Sequence, residues 1–143
     1  MVYEKSCGFV VCSGQRGLRT YLVIRAANGE YGFPKGHVEG DETEYETAVR
    51  ELKEETNLEV RIIEGFRRLI EYPFPRKPGV MKQSVYFLGR CTAEHIICQE
   101  TEVAQAMFVP LEQALALLSF EDTRRILKEA DAYLASRSEF HPH

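Results

Sequence analysis

An α/β/α sandwich on a mixed central sheet is the fold that the sequence predicts, and three observations predict it. Strand-like runs stand on either side of one amphipathic helical stretch, two further helical stretches close the chain, and 143 residues suit one core rather than two. Such an order asks for a sheet covered on both faces, although the pattern alone leaves α+β arrangements open. We read one domain over residues 1–136 and a disordered tail over 137–143, whose His141 and His143 are expected to be solvated rather than metal-binding.

The elements follow in order. SCGFVVCS (6–13) and TYLVIRA (20–26) are rich in β-branched and aromatic residues, and the polar, glycine-containing GQRGLR between them reads as a hairpin connection. A helix should begin near Thr43, because Thr43 and Glu46 have the form of a capping box, and should end at Asn57, a residue that tolerates the left-handed position. Ala48 and Leu52, with Tyr45 and Val49, recur at helical spacing and form the stripe expected to pack on a core, which leaves the glutamates on the far side. LEVRIIEGFRRLIEY (58–72) and MKQSVYFLGRC (81–91) are two further strands, split by PFPRKPGV, where three prolines and a glycine exclude a regular element. QAMFVP (105–110) is a last short strand. LEQALALL and EDTRRILKEADAYLA then show helical periodicity, the second opened by Glu121 or Asp122.

Within the first helix Glu51, Glu54 and Glu55 stand three and four places apart. Like charges at that spacing destabilise a helix by roughly 0.2–0.5 kcal/mol per pair. A bound cation would reverse the sign, and hard divalent ions such as magnesium are held by one or two carboxylates plus substrate phosphates. Taken alone, such a run is more simply a solvated face balanced by Arg50 and Lys53.

The wider register weighs against that simpler reading. Gly36, then Glu42 after five residues, then Arg50-Glu51-Leu52-Lys53-Glu54-Glu55-Thr56-Asn57-Leu58 after seven, resembles the Nudix box, the signature of Nudix hydrolases. The family's usual glycine near the end is Asn57 here; both residues accept positive φ. The resemblance implies an α/β/α Nudix fold, a divalent metal (magnesium, with manganese as the alternative) and a backbone carbonyl ligand just before the box, at Lys35. Glu51 and Glu55 are the expected metal ligands, with Glu54 completing the cluster, and Arg50 is expected to orient a glutamate. For the group that takes the proton of the attacking water, Glu54 stands first. Glu102, in a loop outside the box, stands second.

FPKGHV (33–38), EGFRRLIEY, KQSVYFLGR and the N-terminal CGFVV resemble, more narrowly, the asymmetrical diadenosine tetraphosphate hydrolases among Nudix enzymes, and cover most of the chain. That resemblance implies Lys35 and Lys82 on the polyphosphate, His37 near it, Tyr72 stacked on an adenine, and Phe120 as a second aromatic platform. The proline-rich PFPRKPGV departs from the pattern, which leaves the second nucleotide's pocket undefined. The expected reaction is metal-dependent hydrolysis of diadenosine tetraphosphate to AMP and ATP. The rival readings are hydrolysis of nucleoside triphosphates, oxidised ones included, removal of pyrophosphate from RNA 5′ ends, and a nucleotide-sensing module without turnover.

A formal net charge of −4 and the lack of a Lys/Arg-rich run argue against binding nucleic acid or membrane through bulk charge. The expected partner is a small nucleotide, and the expected state a monomer or weak dimer. MVYEKSCGFVV has mixed charge and too short an apolar run for a signal peptide, and Cys7, Cys12, Cys91 and Cys98 lack zinc-knuckle spacing. Reduced thiols and a cytoplasmic location are expected.

Overall fold

The structure is a computed structural model and describes residues 1–14, 18–91, 96 and 103–140, the last three as backbone. Its strands are β1 (Val2–Ser13), β2 (Thr20–Ala26), β3 (Tyr31–Gly32), β4 (Lys35–His37), β5 (Val60–Pro73), β6 (Val80–Cys91) and β7 (Val103–Pro110). The helices are α1 (Glu44–Thr56), α2 (Leu111–Leu117) and α3 (Glu121–Phe140).

All seven strands join one mixed sheet of order β3-β2-β1-β6-β5, with β4 also on β1 and β7 also on β2. β1 and β6 run parallel; the other pairs are antiparallel. Helix α1 lies against β1 and β4, while α3 lies against β5 and α2, so helices cover both faces as expected. Successive β1 side chains serve opposite cores: Val10 and Cys12 join the cluster under α2 and α3, and Cys7, Phe9 and Val11 join the one under α1. A strand buried on both faces carries a continuous apolar run, which explains CGFVVC.

Helix α1 is capped as its sequence predicts. Thr43 accepts from the Glu46 amide at 3.1 Å, the Glu46 carboxylate accepts from the Thr43 amide at 2.8 Å, and Asn57 closes the helix at φ 64°. Ala48 and Leu52 are buried, but Tyr45 and Val49 are each 39% exposed. Tyr45 instead meets Phe9 and Phe87 edge-on at the border of the core. The glutamate face is not the solvent side either: Glu51 and Glu55 are 8% and 4% exposed, because β4 and the sheet enclose that flank as well. Only Glu54 stands open.

Other differences have local causes. β1 begins at Val2, ahead of the expected Ser6, since its charged start is held in the ladder by pairing with β6 from Val80 onward. β3 and β4, two and three residues long, are too short to show a period. α3 spans Glu121–Phe140, and no Gly or Pro interrupts the sequence between Glu121 and Pro142. Among the described residues, no helix is long and apolar enough to cross a membrane.

β1 changes partner along its length. Near Cys7 it pairs with β4, and near Cys12 it pairs with β2. The sheet therefore forks beside the N-terminal half of β1, and the candidate site occupies that fork.

Candidate active site

Arg50 is the hub of the site. Its Nε donates to Glu42 Oε2 at 2.7 Å and one terminal nitrogen donates to Glu42 Oε1 at 3.0 Å, a two-pronged grip that fixes the guanidinium plane. That nitrogen also donates to the His37 carbonyl at 3.0 Å. The other reaches Glu51 at 3.4 Å, Glu54 at 3.2 Å and Glu39 at 3.5 Å. One cation thus ties the helix carboxylates to β4 and to the loop before α1. Arg50 hydrogen bonds first, with the Glu39 amide and the Thr47 hydroxyl, hold the Glu42 carboxyl down at about 2. The hydrogen bonds of Glu42, and then those of Glu54, hold Arg50 charged against the cost of burial.

Gly36 brings β4 against α1. A Cβ at this position would collide with the Glu51 carboxylate, so the close approach requires glycine. The Phe9 amide donates to the Pro34 carbonyl and the Val38 amide to the Lys5 carbonyl. Antiparallel pairing then turns residues 34, 36 and 38 toward β1 and the carbonyls of Lys35 and His37 away from it. Arg50 takes up the His37 carbonyl, and the Lys35 carbonyl faces the same way.

Two cavities meet here. A polar one of about 450 Å³ is lined by Lys35, His37, Glu51, Glu54, Tyr72 and Lys82, together with Ser6, Gly36, Glu39, Arg50 and Ser84. A more apolar one of about 530 Å³ lies beyond it, where Tyr72 and Phe120 join Tyr31, Phe33, Ile70 and Val103. Lys35, Tyr72 and Ser84 line both and form the shared wall. The Lys35 ammonium donates to Ser84 Oγ at 3.1 Å. Burial, and then the charge of Lys82, lower its pKa, while Glu30 and Glu55 oppose the shift.

The expected site residues are therefore divided. Glu51 and Glu54 face the polar cavity, whereas Glu55 lines the apolar one beside Lys35. Among the described residues, no three His, Cys, Asp or Glu side chains stand grouped to hold a metal. What the polar cavity offers is hard oxygen donors, the carboxylates of Glu39, Glu51 and Glu54 with a carbonyl turned toward the same fork, and that chemistry fits a divalent cation. Glu102 lies outside the described residues. Glu39, Ser6 and Ser84 were not anticipated. Ser84 had a signal, since it follows Lys82 by two on one strand and so shares its face; a lone loop acid such as Glu39 had none.

Comparison with known proteins agrees with this fold. The NUDIX domain model matches residues 3–130. The mouse asymmetrical bis(5′-nucleosyl)-tetraphosphatase is 34% identical over 122 residues, covering 81% of each chain. An RNA pyrophosphohydrolase of Halorhodospira halophila is 28% identical over 151 residues, covering 92% of this chain and 82% of its own. Among solved structures, a Caenorhabditis elegans Ap4A hydrolase binary complex superposes with a TM-score of 0.84 at 25% identity, covering 93% of this chain and 98% of the other.

Proposed function

The chain belongs to the Nudix family, and from that premise we propose that it hydrolyses a phosphoanhydride bond of a dinucleoside polyphosphate, diadenosine tetraphosphate giving AMP and ATP. One observation carries the reading: a polar, lysine- and carboxylate-lined cavity shares a wall with an apolar cavity lined by aromatic side chains, the exposed Tyr72 and Phe120 among them. A polyphosphate and a nucleoside need such adjoining compartments.

Nudix hydrolases use a divalent metal. We assign Glu51, Glu54 and Glu55 with the Lys35 carbonyl as its ligands, and magnesium, or manganese, as the ion. The chemistry such an ion supplies when bound is neutralised charge on the phosphate oxygens and a water acidic enough to lose its proton near neutral pH.

The side chains do the rest. Glu54, open to the polar cavity, takes the proton of the attacking water, and Arg50 orients both Glu54 and Glu51 through its terminal nitrogen. Water oxygen bonds to phosphorus, and the bond from that phosphorus to the bridging oxygen breaks. Lys35 and Lys82 hold phosphate oxygens as point charges, with His37 at the rim. Tyr72 and Phe120 flank the base. Glu102 remains the second candidate for the base, assigned from its sequence position.

The similarity to an RNA pyrophosphohydrolase favours RNA 5′ ends as a second reading, against which the net charge of −4 weighs. The test is a substrate panel with magnesium and with manganese, comparing kcat/KM for dinucleoside polyphosphates, nucleoside triphosphates and 5′-triphosphate RNA. Preference for either of the last two overturns the substrate and keeps the reaction class; tight binding with no hydrolysis favours a sensor. We further propose a monomer or weak dimer in the cytoplasm, consistent with the free, buried thiols of Cys7 and Cys12.

A further inference from the structure

The loop after β5 carries a contact that the proposed mechanism does not use. Lys82 stands opposite Tyr72 on β5 and opposite Glu4 on β1, with its side chain at the polar cavity. Its ammonium lies over the Phe74 ring, 4.4 Å from the centroid, within the range in which a cation is attracted to an aromatic face. Phe74 does not line the cavity. It is held from behind, since its amide donates to the Val80 carbonyl at 2.9 Å and its carbonyl accepts from the Lys77 amide at 3.1 Å. A tight connection thus fixes a ring beneath a mobile four-carbon cation.

We propose that Phe74 is a positioning residue, which keeps the Lys82 ammonium at the polar cavity so that it can bind polyphosphate. The competing partner is Glu4, whose side chain shares a register position and sheet face with Lys82 across the parallel β1–β6 ladder. Without the ring, Lys82 has a carboxylate to fall back on, and its charge leaves the ligand. The inference rests on the assignment of Lys82 to the polyphosphate, not on which nucleosides the substrate carries.

Inorganic tripolyphosphate with magnesium is therefore the probe, titrated into the whole protein carrying labelled lysine side chains. Ring current should displace the Lys82 ε-methylene resonance upfield, and tripolyphosphate should move it. In Phe74→Leu that displacement disappears and tripolyphosphate binds about two- to fivefold more weakly, the scale of one exposed cation–aromatic contact. Phe74→Trp restores both. On a Lys82→Met background, Phe74→Leu should cost no further affinity, and in any substrate that is turned over the loss should fall on KM with kcat kept. Unchanged binding in Phe74→Leu, losses that multiply with those of Lys82→Met, or a wild-type Lys82 resonance that tripolyphosphate leaves in place each overturn the proposal. Failure of diadenosine tetraphosphate as a substrate would overturn the functional reading and leave these outcomes decisive.

Discussion

Arg50 and Glu42 lock together at 2.7 and 3.0 Å through both oxygens of the carboxylate, so the guanidinium that touches Glu51 and Glu54 cannot rotate. Arg50→Lys keeps the charge and loses the fork. We expect kcat to fall about ten- to a hundredfold, as for other groups that orient a site's ligands, with KM changed less. Steady-state kinetics beside an unchanged circular dichroism spectrum would test this.

The same pair, and Glu44 with Arg67 and Lys5, set an acid limit. Hydrogen bonds from Arg50 hold the Glu42 carboxyl at about 2, and those from Arg67 first, then Lys5, hold Glu44 at about 2, both below the ordinary 4.5. A carboxyl depressed by folding adds stability that is present above its unfolded pKa and lost as pH falls toward the folded one. Urea midpoints should therefore decline between pH 4.5 and 2, and Glu44→Gln should flatten part of that decline. An equal slope in that variant would remove Glu44 from the account.

Gly36→Ala drives a methyl into the Glu51 carboxylate. Overpacking of this kind costs about 1–3 kcal/mol, and here the yielding group is a proposed metal ligand. A fall in turnover should accompany the loss in urea stability. Normal kcat in this variant would show that Glu51 can move without consequence.

Glu51→Gln removes one negative charge from the polar cavity and keeps its shape. Turnover should drop by about a hundredfold or more while the thermal midpoint stays near that of the wild type. A chelator should likewise stop the wild-type enzyme, and added magnesium or manganese should restore it. Full activity under chelation would exclude the assigned role of these carboxylates.

Tyr72 and Phe120, 38% and 51% exposed, both line the apolar cavity. Each alanine variant should raise KM for a nucleotide substrate by about 5- to 150-fold, the scale of roughly 1–3 kcal/mol per stacked base. Tyr72→Phe should match the wild type. Competition with adenosine would separate stacking from an altered polyphosphate channel.

Much of this was legible beforehand. The capping box of Thr43 and Glu46 and the left-handed Asn57 are local devices, so their chemistry shows in sequence, as do the long apolar runs of β1, β2 and β6. The burial of Glu51 and Glu55 was not legible, because helical periodicity counts apolar residues and places the acids opposite them. That they face a fork depends on β4, three residues long and held there by Gly36. The split of Glu55 from Glu51 and Glu54, and the double role of Lys35 in two cavities, arise from where the sheet divides. Phe74 was hidden for another reason: among three prolines, a loop announces where strands end and not what its one aromatic ring supports.

The fork has a mechanical consequence. β1 is riveted to β6 through eleven consecutive register pairs, but to β4 through only three. Amide protons along the long ladder belong to the part of the molecule that opens last, whereas those of Gly36 and Val38, which face β1, escape by a breath of the short one. A ligand wedged into the gap spends its push on a short seam and leaves the long ladder undisturbed.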